Sequence, residues 1–233
     1  MARYLVTAGN TRELIDRVRD WGNIFTGNTG FSIARALAPL GEVDLLTSNA
    51  THVAEAGSAG IRAETFRSHA DLSAALEKRL AGQTYDAIFM TAAVADYRPV
   101  GSYSVANRVT NPDGTETWTV RNAQAGKVKS DYPAIAILGE RTEKIVDRFR
   151  RDWGHRGLLV KFKLEVGLDA AALLAVAEKS RRASWADYLV ANTLDMVNGE
   201  HAGAYLLSDR GQEWVPRGEL PARCAQLVTG RLE

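Results

Sequence analysis

Two hydrophobic periods take turns along the chain. Residues 4–7 form a short apolar run, and 30–40 then spaces Phe31, Ile33, Ala34, Leu37 and Ala38 at the 3.6-residue interval of a helix. Gly41 ends that pattern, and 43–46 is apolar again. Over 69–80, Leu72, Ala75, Leu76 and Leu80 share one helical face while charges take the other. The run Tyr85-Asp86-Ala87-Ile88-Phe89-Met90 is a further strand. This βαβαβ order predicts a parallel sheet with right-handed crossovers. Later the alternation resumes, with a helix over 143–153, a strand over 158–164, a helix over 170–182 and a strand over 188–191. A strand over 204–207 and a closing helix over 219–232 complete it.

Residues 100–126 break the rhythm. Asn111-Pro112-Asp113-Gly114 is a turn signal between Tyr103-Ser104-Val105 and Thr117-Trp118-Thr119-Val120, which predicts a β-hairpin. A hairpin interrupting a parallel sheet projects as a flap or an oligomer contact. Lys127 and Lys129 follow, expected on one face of an extended segment. No linker, low-complexity segment or internal repeat divides the 233 residues. One α/β domain over 1–233 is expected: Rossmann-like, a mainly parallel sheet flanked by helices, with the hairpin as a projection over about 100–126.

Composition removes several functions. The chain is 45% hydrophobic and 24% charged with a formal net charge of +1, so it carries no electrostatic footprint for nucleic acid or an anionic membrane. Cys224 is the single cysteine, which excludes an intrachain disulfide or a cysteine-based metal site. His52, His69, His155 and His201 never stand at metal-ligand spacing. Without an 18-residue apolar run or a signal-peptide pattern, a cytoplasmic protein is expected.

Candidate chemistry gathers where strands end. The strand at 85–90 leads into Thr91-Ala92-Ala93-Val94-Ala95-Asp96-Tyr97-Arg98-Pro99. Small residues there let a ligand lie against the backbone, with Asp96 and Arg98 at the rim; the same residues also suit a tight turn in which Asp96 pairs Arg98. Thr26-Gly27-x2-Gly30 opens a helix whose N–H groups form a generic anion site, or is a plain helix start capped by Thr26. Gly22-x4-Gly27-Asn28-Thr29 has P-loop spacing, but Asn28 stands where the lysine belongs. A nicotinamide-dependent reductase is the rival from another class. It is disfavoured, because no G-x-G-x-x-G occurs and Thr47-Ser48-Asn49 ends the second strand without a ribose-binding acid. Phe162 either stacks on a base or fills the core. Lys179 lies mid-helix, where exposure is ordinary, and Asn192 caps a turn or touches a ligand.

Read in order, these segments resemble the phosphopantothenoylcysteine synthetase (phosphopantothenate–cysteine ligase) family. Leu5-Val6-Thr7-Ala8-Gly9-Asn10-Thr11-Arg12-Glu13, Val18-Arg19 and Asn23-x2-Thr26-Gly27-x2-Gly30 are similar to its N-terminal motifs. Ala92-Ala93-Val94-Ala95-Asp96-Tyr97 resembles its central signature and Gly126-Lys127-Val128-Lys129 its lysine loop. Phe162-Lys163-Leu164-Glu165 is similar to the form in the stand-alone and eukaryotic-type enzymes, and Ala177-Glu178-Lys179-Ser180 and Ala186-Asp187-Tyr188-Leu189-Val190-Ala191-Asn192 resemble the closing motifs. The flavin-dependent decarboxylase half, fused in many bacteria, is not among them, so the resemblance implies the stand-alone type without flavin.

The implied activity is an acid–amino-acid ligase of coenzyme A biosynthesis. CTP, or ATP in the eukaryotic type, activates the carboxylate of 4′-phosphopantothenate as an acyl-nucleotide with Mg²⁺, and cysteine then forms the amide. By motif, Asn23 holds the acyl intermediate, and Arg19 assists the second step or the substrate's phosphate. Thr26, Gly27 and Ala93 lie on the phosphopantothenate side. Met90, Thr91, Ala92 and Asp96 contact the nucleoside, Phe162 packs on the base and Lys179 reaches a phosphate. Lys127 and the turn Glu143-Lys144-Ile145-Val146 meet the triphosphate. Metal ligands stay unassigned, and a homodimer is implied. Five positions depart from the family: Ile24 and Phe25 replace His and Ser, Asn28 a frequent Lys, Ala183 a second helix lysine, and Lys161 a Gly. These departures leave room for a related ligase with another acyl substrate, or for an inactive nucleotide-binding protein.

Overall fold

The computed structural model describes residues 1–199 and 201–230. The chain begins with β1 (Arg3–Ala8), a small hairpin of β2 (Arg12–Leu14) and β3 (Asp20–Gly22), α1 (Asn28–Leu37), β4 (Glu42–Thr47), α2 (Ala50–Ala56), β5 (Arg62–Thr65), α3 (His69–Gly82) and β6 (Ala87–Met90). It continues through β7 (Tyr97–Thr110), β8 (Glu116–Asn122), β9 (Ile135–Arg141), α4 (Ile145–Arg151), β10 (Leu158–Glu165), α5 (Ala170–Ala183), β11 (Tyr188–Thr193), β12 (Gly203–Ser208), β13 (Gly211–Pro216) and α6 (Leu220–Thr229).

Eight strands make the main sheet in the order β13-β12-β11-β10-β6-β1-β4-β5. From β11 to β5 every pairing is parallel, and β12 and β13 add an antiparallel edge. The Rossmann-like, mainly parallel expectation is borne out. After β1 the chain builds outward through β4 and β5, then returns to β6 on the other side of β1. Ligand crevices open at such a reversal, outside the carboxyl ends of the strands. Residues 9–11 and 91–96 therefore flank the middle of that edge.

Alternation along β1 sends side chains to both faces. Tyr4, Val6 and Ala8 pack with Phe31, Ile33 and Leu37 of α1 and with Leu227 and Val228 of α6, whereas Leu5 joins Leu72 and Leu76 of α3 and Phe149 of α4. On α5, Leu173 and Ala177 pack against Leu189, Ala191 and Leu207. A capping box between Ser68 and Asp71 starts α3.

The connection between β1 and α1 contains an ordered hairpin, turned at Asp16, whose Oδ1 accepts the N–H groups of Val18 and Arg19, both at 2.9 Å. Several expectations need correction. The hairpin at 100–126 forms with Val105 opposite Val120, but β9 joins the other edge of β7, so the projection is a three-stranded sheet starting at Tyr97. Lys127 and Lys129 occupy no strand; they lie exposed in the irregular segment between β8 and β9, with Val128 buried between them. The helix expected over 30–40 starts earlier, at Asn28, and tightens into a 3-10 turn over Ala38–Leu40, where Pro39 sits. The helix expected over 143–153 is limited to α4, and that over 219–232 ends at Thr229; 231 and 232 lie outside the described residues. Among the described residues, no helix is long and apolar enough to cross a membrane.

Candidate active site

The small-residue segment after β6 is held by backbone atoms. Ala93 N–H donates to Gly9 O at 2.9 Å and Thr11 N–H donates to Ala93 O at 3.1 Å, which makes a parallel bridge beyond the ends of β1 and β6. Thr11 Oγ1 accepts the Ala95 N–H at 2.8 Å, and Thr142 Oγ1 donates to Ala95 O at 2.6 Å. Its alanines are thus fixed through their backbone, while the Thr91 hydroxyl donates to Thr7 O. Arg98 pairs with Glu140 at 3.7 Å, not with Asp96. Among the described residues the Asp96 carboxylate has no hydrogen-bonding or ionic partner, and it stands exposed at the rim.

Beside this floor, α1 begins at close range. Gly27, not Thr26, is its N-cap, with φ at 84° and no side chain capping the first turn. A Cβ on Gly27 would lie 2.1 Å from the Gly9 nitrogen, and one on Gly30 would lie 2.2 Å from Thr91 Oγ1 and 2.9 Å from Thr7 O. Glycine is required at both positions by contact, and at Gly27 also by its left-handed conformation. The first N–H groups of α1 are therefore open to a ligand. Asn28 turns towards His52, its Oδ1 being 3.1 Å from Nε2, and His52 stacks on Phe31 at 4.5 Å. Burial lowers the pKa of His52, which keeps the ring neutral.

Two adjoining cavities occupy this edge. One, of about 240 Å³, touches Thr26, Gly27, Thr91, Phe162, Asn192 and Arg217. Its neighbour, of about 290 Å³, touches Asn23, Met90, Asp96, Phe162 and the whole turn Glu143-Lys144-Ile145-Val146. Phe25, Ala92, Ala93 and Phe162 line both. Phe162 is half-buried, with one side on the core and the other on the cavities. Asn23 Nδ2 donates to Ala93 O at 3.3 Å, and Asn10 donates to Asn23 O. His69 Nε2 lies 2.7 Å from Glu143 O and fixes the turn that follows.

Three residues expected at the site line neither cavity: Arg19, Lys127 and Lys179. Arg19 is held by Asp16, with Nε at 3.0 Å and a terminal nitrogen at 2.6 Å from Oδ2, and it also donates to Val128 O at 2.5 Å. Val128 N–H returns a bond to Asp16 Oδ2 at 3.0 Å. Asp16 therefore clasps the Arg19 loop to the Lys127 segment. Burial opposes ionisation there, but the Val18, Val128 and Arg19 donors outweigh it and hold the carboxyl well below the usual carboxylate range. Lys179 is exposed on α5, next to Ser180 of the second cavity.

Sequence reasoning missed Arg217, Ser180 and Thr142 as lining residues, because each is ordinary in its own sequence context. Lys161 carried a signal, a charge directly after the apolar run Leu158-Leu159-Val160, and it is buried among neutral oxygens of Ser180 and Ser184. Among the described residues, no group of three or more His, Cys, Asp or Glu side chains is arranged to hold a metal ion.

A mainly parallel sheet, two adjoining cavities at its reversal point and an uncapped helix start define a Rossmann-like α/β fold with a candidate site at that edge. Residues 1–108 match the family model for the DNA/pantothenate metabolism flavoprotein C-terminal domain. The chain is 31% identical over 215 residues to the coenzyme A biosynthesis bifunctional protein CoaBC of Thermococcus kodakarensis, covering 92% of this chain and 47% of that one. It is 34% identical over 131 residues to CoaBC of Mycobacterium tuberculosis, 55% of this chain and 30% of that one. The chain thus spans less than half the length of these relatives. Among solved structures, the DNA/pantothenate metabolism flavoprotein of Streptococcus pneumoniae superposes with a TM-score of 0.80 at 25% identity, covering 99% of this chain and 100% of that one. A Cab2 mutant in complex with phosphopantothenate-cysteine shares the fold, with a TM-score of 0.68 at 16% identity over 100% of this chain and 89% of that one. The resemblance to phosphopantothenoylcysteine synthetases carried by the motifs is borne out by these relatives.

Proposed function

We propose that this chain joins 4′-phosphopantothenate to cysteine at the expense of a nucleoside triphosphate, CTP or ATP, as one domain over 1–233. The observation that carries this reading is the joined pair of cavities sharing Ala92, Ala93 and Phe162, because two ligands must meet for a carboxylate to be activated. The substrate carboxylate attacks the α-phosphorus, giving an acyl-nucleotide and pyrophosphate; the cysteine amine then attacks the acyl carbon and releases the nucleoside monophosphate. Positioning and charge neutralisation supply most of such catalysis. Phe162 and the alanine floor take the nucleoside, with Asp96 free to accept hydrogen bonds from its hydroxyls. Lys144 and Lys163 face the triphosphate. Asn23 holds the acyl intermediate, and the open N–H groups of α1 hold the phosphate of phosphopantothenate.

The donor set suits a magnesium ion that arrives with the nucleotide, because Mg²⁺ is commonly held by substrate phosphates, water and one or two carboxylates. Asp96 is the uncommitted carboxylate here, and the ion supplies neutralisation of phosphate charge. A homodimer fits the projecting sheet of β7, β8 and β9, where Tyr97, Val109, Trp118, Ile135 and Leu138 stand exposed.

The test offers purified protein the four nucleoside triphosphates with phosphopantothenate. Pyrophosphate release that depends on phosphopantothenate, then amide formation on adding cysteine, is the expected result. No turnover with any nucleotide by folded protein overturns the reading.

A further inference from the structure

Strand β10 runs Leu158-Leu159-Val160-Lys161, and its lysine is only 7% exposed. The Nζ of Lys161 donates to Ser180 O at 3.0 Å, Ser180 Oγ at 3.1 Å and Ser184 Oγ at 2.7 Å. Its hydrogen bonds are thus satisfied by neutral oxygens while its charge is not. Among the described residues no carboxylate pairs with it directly; Asp147 is reached only through Ser184, whose hydroxyl donates to Asp147 Oδ1 at 2.6 Å. An ammonium buried without an anion is costly to the fold.

The surroundings increase that cost. Lys144 and Lys163 line the same 290 Å³ cavity as Lys161, Thr142 and Ser180, and among the described residues only Lys163 of the three lysines has a carboxylate partner, Glu165 at 2.7 Å. Burial, with the repulsion of Lys144 and Lys163, outweighs the attraction of Asp147 and brings the pKa of Lys161 down to about 8. Three lysines line this cavity beside two carboxylates, Asp96 and Glu143, of which Glu143 is paired with Arg151, and the lysines suit an anion of multiple charge. The neighbouring helix carries Ala183 where the family's second lysine is expected, and Nζ of Lys161 reaches that end of α5 from the strand.

We propose that Lys161 is a polyphosphate-binding residue of this cavity, its ammonium neutralised by the phosphate oxygens of a nucleoside triphosphate or of the pyrophosphate it releases. The inference rests on the ligase reading and extends it to a residue outside the family's motif positions.

Calorimetric titration of the whole chain with inorganic pyrophosphate, with the preferred triphosphate and with its monophosphate tests this. Lys161→Met is expected to weaken pyrophosphate and triphosphate by about tenfold or more, the worth of a charge-assisted contact, and the monophosphate by less than about threefold. Equal affinities in folded wild type and variant overturn the proposal and leave the ligase reading standing. Binding of polyphosphate without amide formation does the reverse. Should Lys161→Met fail to fold, carbon-13 spectra of the lysine ε-methylenes in the wild type decide. A resonance titrating near pH 8 is expected to move up by about one unit on adding pyrophosphate; an unmoved titration overturns the proposal.

Discussion

Asp16 and Arg19 form a clasp, two nitrogens of the guanidinium lying 3.0 and 2.6 Å from one carboxylate oxygen, and the same oxygen takes the Val128 N–H. Two loops far apart in sequence meet there, and bonds from Arg19 to Val128 O and from the Arg17 N–H to Gly126 O add to the junction. Neither Arg19 nor the segment bearing Lys127 is held where it is by its own secondary structure. Asp16→Asn keeps the size but removes the charge, and is expected to lower the melting temperature by several degrees. Amide formation should fall at least about tenfold, because misplaced groups lose effective molarity steeply. Limited proteolysis of 12–22 and 126–130, run beside turnover, checks both; unchanged cleavage would remove the clasp from the account.

Acid dependence follows from the same carboxylate. Its folded-state pKa is depressed, so its stabilising contribution is present in full above the ordinary carboxylate range. It is lost as the pH falls through about 4 and towards the folded value. Denaturant midpoints of wild type and Asp16→Asn should differ at pH 7 and converge in strong acid.

Lys161 has the opposite sign. A lysine whose folded pKa lies at about 8 destabilises the native state at neutral pH, and the penalty fades as the pH rises from 8 towards 10.5. The charge term is about 3 kcal/mol at pH 7. Lys161→Met should therefore be at least as stable as wild type at pH 7, with its advantage shrinking by pH 10. Denaturant unfolding at three pH values measures this, and a variant less stable at pH 7 than at pH 10 relative to wild type would contradict it.

At the helix start, Gly30→Ala places a methyl group 2.2 Å from Thr91 Oγ1 and 2.9 Å from Thr7 O. Overpacking of this kind costs about 1–3 kcal/mol. Because Thr91 is displaced as well, nucleotide affinity is expected to fall together with stability. Gly57→Ala, with nothing within 4 Å, is the matched control.

Asn23→Asp tests the second chemical step separately from the first. Nucleotide affinity should stay within about threefold of wild type while amide product drops by about a hundredfold, the scale of losing one polar contact to a reacting group. Unaltered turnover would remove Asn23 from the mechanism.

The central strands were legible in the sequence because both of their faces are buried, which writes them as continuous apolar runs. β5 and β13 were not, since Arg62-Ala63-Glu64-Thr65 and Gly211-Gln212-Glu213-Trp214-Val215-Pro216 lie at sheet edges and are mostly exposed. β9 escaped because its partner, β7, comes from a separate small sheet with no apolar period of its own. At the site, residues following strand ends could be read directly: Thr91 to Asp96, Phe162 and the turn at Glu143 meet at the reversal point as topology requires. Arg19 and Lys127 could not be positioned, since the Asp16 clasp that orients them spans more than a hundred residues. The burial of Lys161 is equally a property of its neighbours on α5, not of its own strand.

The bridge between Gly9, Thr11 and Ala93 has a consequence for how this fold can diversify. A floor pinned through peptide groups keeps its shape whatever side chains border it. Side chains at its border, such as Ile24 and Asn28, can change while the backbone of Ala92 and Ala93 stays in place. Selectivity is then free to drift at the margins, over a foundation that mutation rarely reaches.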